Sequence, residues 1–125
     1  MSDHFTYHQS TGELYLGDEF YGRGWAGNGE GKNNPAMQGV RGRGPIPQGW
    51  YTIGEPEEHP TVGHFAMRLT PDPSNGMFGR DGFLMHGPAM DPKVRGQESR
   101  GCPIQLRPVR ERVHASGIKR LLVVA

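Results

Sequence analysis

The chain has 125 residues, which fits one domain over residues 1–125 with a single modest core. Its 20 glycines and 11 prolines make up about a quarter of the sequence, and both residues are unfavourable inside helices, so the composition points away from a mainly helical protein. The 14 Lys and Arg residues nearly balance 13 Asp and Glu residues, so the basic excess typical of nucleic-acid-binding proteins is missing and no nucleic-acid partner is expected.

The first half of the chain predicts a hairpin followed by a long loop. Phe5–His8 and Glu13–Leu16 alternate apolar and polar residues, and the Ser10–Gly12 turn between them completes a hairpin pattern. Residues Gly22 to Gly44 are mostly Gly, Asn, Arg and Lys, which predicts a long loop. We expect this loop to be a lid over a cleft or a docking interface, and its glycines favour the lid.

The second half predicts further strands and one helix. A loop broken by Pro56 is expected between Glu55 and Thr61. Pro108–Ser116 is predicted to be a helix because a proline suits a first helical turn and Gly117 is placed to end it. The predicted strands are, in chain order, Trp50–Ile53, His64–Leu69, Gly82–His86 and Ile118–Ala125.

No targeting or membrane segment is predicted. Met1 to Ser10 is polar and lacks the apolar core of a signal peptide, and no apolar stretch is long enough to cross a bilayer. No basic amphipathic helix is present for a membrane surface. The chain is therefore expected to be made in the cytoplasm, without a membrane partner.

Several simple motifs do not support a cofactor or a metal. Gly22, Gly24 and Gly27 match G-x-G-x-x-G, but no helix can follow in Asn28–Gly31, so a dinucleotide site is not expected. The six histidines show no ligand spacing, and the single cysteine excludes an internal disulfide and a cysteine-rich zinc site. We expect neither a metal nor a cofactor.

Cys102 and His86 form a candidate nucleophile and base. A cysteine enzyme needs a base for the thiol proton, donors for the oxyanion and access for its substrate. His86 ends a predicted strand, and the fifteen residues between it and Cys102 are enough to bring the two together. On spacing alone the alternative stays open, namely a structural cysteine and a histidine that never meet.

The residues around Cys102 suit this chemistry. Gly101 lets the backbone approach a substrate carbonyl, and the amides of Gly101 and Cys102 are candidate oxyanion donors, since Pro103 has no N–H. Pro103 also suits the start of a helical turn. Such a turn would place Cys102 at a positive helix end and, with Arg100 nearby, would lower the pKa of its thiol.

These residues resemble the L,D-transpeptidase signature, in which an HG pair on a strand is followed some fifteen residues later by S-[HR]-G-C. Here the HG pair is His86-Gly87, and the S-[HR]-G-C motif is Ser99–Cys102. The Pro-Gln-Gly-aromatic turn and strand in Gly44–Tyr51 is similar to that family's. Together with Tyr7–Gly12 and the loop through Asn33–Pro35, the order of motifs resembles the L,D-transpeptidase-like effectors of type VI secretion over nearly the whole chain. Arg100, where many transpeptidases have histidine, and Pro103, where many have an aliphatic residue, depart from the pattern.

The resemblance implies a mainly β fold, a β-sandwich or distorted barrel with one short C-terminal helix. It implies an L,D-carboxypeptidase or D-amino-acid exchange enzyme that cleaves the meso-diaminopimelate–D-alanine bond of peptidoglycan tetrapeptide stems through an acyl-enzyme on Cys102. Carried over by position, His86 is the base and the Gly87 carbonyl orients its ring. The amides of Arg100, Gly101 and Cys102 would bind the oxyanion, and Ser99 would support the loop.

The resemblance also implies partners. An effector of this kind would be a monomeric antibacterial toxin, carried by a secretion apparatus into the periplasm of a target cell and blocked by an immunity protein. Two alternatives stay open: a phage-type lytic protein of the same chemistry, and a non-catalytic module that binds peptidoglycan. Hydrolysis, exchange and crosslinking are all possible outcomes, depending on how well the acceptor site excludes water.

Four basic residues could meet a stem carboxylate. They are Arg80, Lys93, Arg95 and Arg100. For all but Arg100, a solvated side chain on a loop is the expectation.

Overall fold

The structure is a computed structural model that describes residues 3–89, 93 and 99–125. Within them the chain is mainly β with a single short helix near its C-terminus, as predicted. The strands are β1 (Phe5–His8), β2 (Glu13–Leu16), β3 (Glu19–Arg23), β4 (Gly49–His59), β5 (Gly63–Pro71), β6 (Leu84–Met85) and β7 (Arg120–Val124). The helix α1 (Arg107–Ala115) precedes β7, and 3₁₀ turns at Gly29–Gly31 and Pro35–Met37 lie in the long loop. No helix in this part of the chain is long and apolar enough to cross a membrane.

The strands form one seven-stranded mixed sheet in the order β3-β2-β1-β7-β4-β5-β6. The first and last strands in sequence meet at its centre, where β1 pairs parallel with β7 from Phe5 opposite Leu121 to His8 opposite Val124. The other neighbours are antiparallel. The two ends of the chain are therefore held together in the most protected part of the sheet.

The segment 103–105, which we call the closing segment, joins the two edges of this sheet. Just beyond β3, Trp25 pairs with Ile104, whose amide donates to the Trp25 carbonyl at 2.7 Å. Just beyond β6, His86 also pairs with Ile104, and the Gln105 amide donates to the His86 carbonyl at 2.9 Å. Backbone hydrogen bonds to the closing segment thereby connect the chain just beyond β3 with the chain just beyond β6, which completes a distorted barrel.

The core lies inside this barrel and extends under α1. Val113 carries the packing face of the helix and is almost fully buried. The alternating pattern of the strands places every second residue inward, as in β1, where Phe5 and Tyr7 are fully buried. The other buried members of the core are Leu14, Ala26, Ile46, Tyr51, Ile53, Met67, Leu69, Phe83, Met85, Leu121 and Val123.

Two segments differ from the predictions. The predicted long loop begins inside β3, which extends to Arg23. Most residues of this edge strand are exposed, so its sequence lacks the apolar alternation that would predict a strand. The loop expected from Glu55 to Thr61 is wrong for most of its length, because β4 continues to His59. The pairing of β4 with β5 shifts register between Ile53 and Pro56, and such an irregularity is a place where a strand tolerates proline.

Candidate active site

Ser99 fixes the turn that carries the cysteine. This turn, Ser99–Cys102, will be called the cysteine turn. The Ser99 side chain is fully buried, and its hydroxyl donates to the Cys102 carbonyl at 2.7 Å. The same oxygen accepts from the Gly101 amide at 3.1 Å and from the Gly27 amide at 2.9 Å. One hydroxyl therefore closes the turn on itself and anchors it to the long loop.

Gly101 is required by its conformation and its surroundings. Its φ of 135° lies in a region that side chains disfavour. A Cβ there would lie 2.5 Å from the Arg80 Nη2 and 2.9 Å from the Gly44 oxygen. Its carbonyl accepts from the Ile46 amide at 2.8 Å. The turn Gly44–Pro47, called the Gly-Pro-Ile-Pro turn, is therefore packed directly against the cysteine turn.

Arg80 binds the backbone around the cysteine turn, and the expectation that this side chain is solvated was wrong. Its side chain is buried and lies against the ring of Phe83, 5.2 Å from the ring centroid. The guanidinium donates to backbone carbonyls from the loop, the Gly-Pro-Ile-Pro turn and the cysteine turn. These belong to Gln38, Gly44, Pro45 and Arg100. Because both terminal nitrogens of Arg80 already donate to carbonyls, this side chain organises the backbone around the cysteine turn.

The long loop is closely packed against the cysteine turn. The Asn28 side-chain amide donates to the Ser99 carbonyl at 2.7 Å and to the Gly42 carbonyl at 2.8 Å. At Gly31 a Cβ would lie 2.2 Å from the Arg43 oxygen. Glycines here permit backbone segments to approach one another, which is a different use from the mobility expected of a lid.

The Cys102 thiol is partly buried and surrounded by backbone. Its sulfur accepts from the Leu84 amide at 3.4 Å and lies 4.0 Å from the Gly82 carbonyl oxygen. Burial raises the pKa of the Cys102 thiol, and the Leu84 amide and the charges of Arg80 and Arg68 oppose this rise.

The predicted lowering of the thiol pKa was therefore wrong, and so was the helical turn at Pro103. Residues 103–105 are extended within the barrel closure, and α1 begins only at Arg107. Cys102 consequently gains no helix dipole, and burial dominates its titration.

His86 is buried on the strand segment that pairs with the closing segment. Its Nδ1 lies 2.9 Å from the Gly87 carbonyl oxygen. A carbonyl only accepts, so this contact places the proton on Nδ1 and makes Nε2 the basic nitrogen of the neutral ring. Leu84 contacts the Cys102 sulfur while His86 pairs with Ile104, so the fold brings the two predicted catalytic residues onto adjacent, hydrogen-bonded segments.

Two depressions flank these segments. A cavity of about 180 Å³ lies beside the cysteine turn and is lined by Arg41, Gly42, Arg80, Asp81, Phe83 and Arg100. A second, more apolar groove of about 350 Å³ borders Gly87 and is lined further by Val62, Gly63, His64, Pro88, Leu106, Arg107 and Arg110. Both depressions therefore contain arginine side chains.

Some contacts of this site have no signal in the sequence. Arg41, Asn28 and the Leu84 amide come from loop and strand positions with no motif of their own. Of the other predicted basic residues, Lys93 is exposed, and Arg95 lies outside the described residues. Within residues 3–89, 93 and 99–125, no three His, Cys, Asp or Glu side chains are grouped so that they could hold a metal ion.

Comparison with known families decides the membership of this chain. The sequence model of the Tlde1 domain matches residues 22–124, which include both His86 and the cysteine turn. The chain belongs to the Tlde1 domain family. Tlde1 domains are type VI secretion effectors, so the predicted effector class is confirmed. No curated protein and no solved structure matches the chain.

Membership of the Tlde1 family has consequences beyond the site. A type VI effector is a toxin that a secretion apparatus delivers into target cells, and the class implies an immunity partner. The match begins at Gly22, so the β1–β2 hairpin lies outside it.

Proposed function

We propose that this Tlde1 domain is a cysteine enzyme that cleaves the meso-diaminopimelate–D-alanine bond of peptidoglycan tetrapeptide stems. Cys102 is the nucleophile and His86 the base. One observation supports this assignment most: the closure of the barrel holds both residues on paired segments, with His86 Nδ1 at the Gly87 carbonyl. The resemblance of these positions to the L,D-transpeptidase signature supplies the substrate.

The chemistry is an acyl transfer through a thioester. His86 Nε2 takes the thiol proton, and the Cys102 sulfur attacks the carbonyl carbon at the L-centre of diaminopimelate. The tetrahedral oxyanion collapses, the C–N bond breaks, and the amine of D-alanine leaves with the proton from His86. Water then hydrolyses the thioester, or the amine of a free D-amino acid replaces D-alanine.

The thiol environment explains why a base is needed. Burial raises the pKa of Cys102, so the neutral thiol dominates at physiological pH and must be deprotonated during the reaction. The Leu84 amide, 3.4 Å from the sulfur, and the charge of Arg80 stabilise the thiolate as it forms. The site thus favours proton transfer to His86 over a permanently ionised cysteine.

The oxyanion donors come from the cysteine turn. The Gly101 amide already donates to Ser99, and Pro103 has no N–H. We therefore assign the principal donors to the amides of Cys102 and Arg100, with Gly101 contributing only if it leaves the Ser99 hydroxyl. Ser99 itself positions the turn.

Peptidoglycan as substrate places the action of the toxin in the periplasm of the target cell, where an immunity protein would cover the site. Family membership favours this reading over a phage-type lytic protein. A non-catalytic module that holds stems without cleaving them is the remaining alternative, and product analysis separates the two.

The test is incubation of the purified protein with tetrapeptide muropeptides, with and without D-methionine, beside Cys102→Ala. Mass spectrometry should show loss of D-alanine or its replacement by D-methionine, and neither product with the variant. Binding of sacculi without any product would contradict the enzyme and support the binding module.

A further inference from the structure

The cavity beside the cysteine turn carries positive charge that the mechanism does not use. Arg41, Arg80 and Arg100 line it, against a single aspartate, Asp81, among its described lining residues. Arg80 contributes charge, but both of its terminal nitrogens donate to backbone carbonyls. The terminal guanidinium groups best placed to bind a ligand therefore belong to Arg41 and Arg100.

Both of these side chains are placed to receive an anion. Arg41 is exposed, and one of its terminal nitrogens donates to the Gly79 carbonyl at 2.8 Å, which orients the guanidinium and leaves its other N–H groups for a ligand. Arg100 is exposed as well, and its backbone carbonyl is held by Arg80 at 2.9 Å. Among the ion pairs of the described residues, none involves either side chain.

We propose that Arg41 and Arg100 form a subsite for the terminal carboxylate of the substrate peptide. The inference rests on the proposed function and deepens it. In a tetrapeptide stem the terminal carboxylate carbon is three bonds from the carbonyl carbon that the thiol attacks, which is about 4 Å. Asp81 and Phe83 of the cavity wall flank Gly82, whose carbonyl oxygen lies 4.0 Å from the Cys102 sulfur, and Arg100 is two residues before Cys102. The cavity wall therefore adjoins the segment that carries the nucleophile.

The subsite determines which bond is cleaved. A guanidinium binds a carboxylate through charge-assisted, often paired hydrogen bonds, and an amide at the same place lacks the charge. Stems that end one residue beyond the scissile bond present a carboxylate to the pair. Stems that continue present an amide, so the arginines select chain ends over internal bonds.

Asp81 lies on the wall of the same cavity and opposes an anion there. Its carboxylate is exposed, so its effect is weakened by solvent but keeps its sign. Asp81→Asn is therefore expected to strengthen carboxylate binding, opposite to the arginine variants.

The test compares a tetrapeptide stem with its terminal amide, in the wild type and in Arg41→Gln, Arg100→Gln and Asp81→Asn. Arg43→Gln is the matched control, because Arg43 is an exposed arginine of the same loop that does not line the cavity. The wild type should favour the acid by about tenfold in kcat/KM, the usual size of a charged hydrogen bond. Arg41→Gln should lose this preference through a higher KM for the acid, with the amide little affected, while Arg43→Gln keeps it.

Equal use of acid and amide by the wild type, or an equal loss on both substrates in Arg41→Gln, would overturn the subsite and leave the proposed function standing. If the wild type cleaves neither substrate, the proposed function fails. The subsite is then tested by calorimetry, which measures the binding of the acid and the amide peptide to Cys102→Ala. Tighter binding of the acid that is lost when Arg41→Gln is added to Cys102→Ala supports the subsite. Equal binding of the two peptides by Cys102→Ala refutes it. Thermal melting of each variant confirms that it is folded.

Discussion

At the scale of single residues, the Cys102 thiol is the group whose environment is most informative. Burial is the largest influence on its pKa and favours the neutral form, while the Leu84 amide and two arginines favour the thiolate. Under the proposed function, such a cysteine reacts only after a base takes its proton, unlike cysteines at helix ends that are ionised at rest.

This environment predicts a displaced pH profile for thiol alkylation. Only the thiolate reacts, so labelling by iodoacetamide should rise at a higher pH in the folded protein than in the urea-unfolded chain, because burial raises the pKa of Cys102. Arg68→Gln should move the midpoint further upward, since the charge of Arg68 lowers this pKa. Arg23→Gln, an exposed arginine of β3, is the control. A folded-state midpoint at or below that of the unfolded chain would contradict the assignment.

The sequence could single out a candidate nucleophile and a candidate base, but not what surrounds them. Histidine, cysteine and the glycine before the cysteine occupy fixed positions in a motif. The Leu84 amide is a backbone group, and any residue there would supply it. The burial of Arg80 has no signal in the sequence, because it depends on carbonyls that converge only after folding.

At the scale of secondary-structure elements, Arg110 links α1 to the two segments of the site. The side chain is buried, and it donates to the Gln105 carbonyl at 2.9 Å and to the His64 and Phe65 carbonyls at 2.8 Å. Phe65 has a φ of 55°, which is unfavourable for a side chain inside a strand. The guanidinium therefore stabilises an irregularity of β5 and the end of the closing segment together.

Replacing Arg110 by glutamine should destabilise the protein strongly. Up to three backbone carbonyls, one buried and two partly buried, would lose a donor, and we expect a fall of about 3 kcal/mol in the free energy of unfolding. Arg112→Gln, on the same helix, removes an exposed ion pair to Glu19 and should cost less than about 1 kcal/mol. Urea unfolding followed by circular dichroism measures both. Equal effects of the two variants would show that Arg110 is not the link described.

Strands with one buried face could be predicted, and those without one could not. The β1–β2 hairpin and α1 follow from patterning and turn residues. β3 is an exposed edge strand, and the outer half of β4 contains a proline next to a register shift against β5. Pairing with a neighbouring strand determines both features, so the local sequence does not predict them.

At the scale of the whole molecule, the closing segment connects folding to the site. Ile104 pairs on both sides, so opening the barrel at this point would separate Cys102 from the Leu84–His86 segment. The ring and the catalytic geometry should therefore be lost together.

Hydrogen exchange tests this connection. The amides of Ile104 and Gln105 should exchange as slowly as that of Leu121 in the central strand, because all are paired within one ring. The Asn75 amide, bonded at 3.0 Å within a surface turn, is the control for local opening. Exchange of Ile104 at the rate of Asn75 would show that the closing segment opens independently of the sheet.

The central claim is that Cys102 carries the acyl group, and mass spectrometry of the trapped and digested protein tests it most directly. The protein is mixed with a tetrapeptide stem, quenched with acid within a turnover and digested for mapping. We predict a tripeptide adduct on the fragment that contains Cys102, absent with a stem that already lacks D-alanine and absent in Cys102→Ala. Release of D-alanine by Cys102→Ala, or an adduct mapped to another residue, would contradict the account.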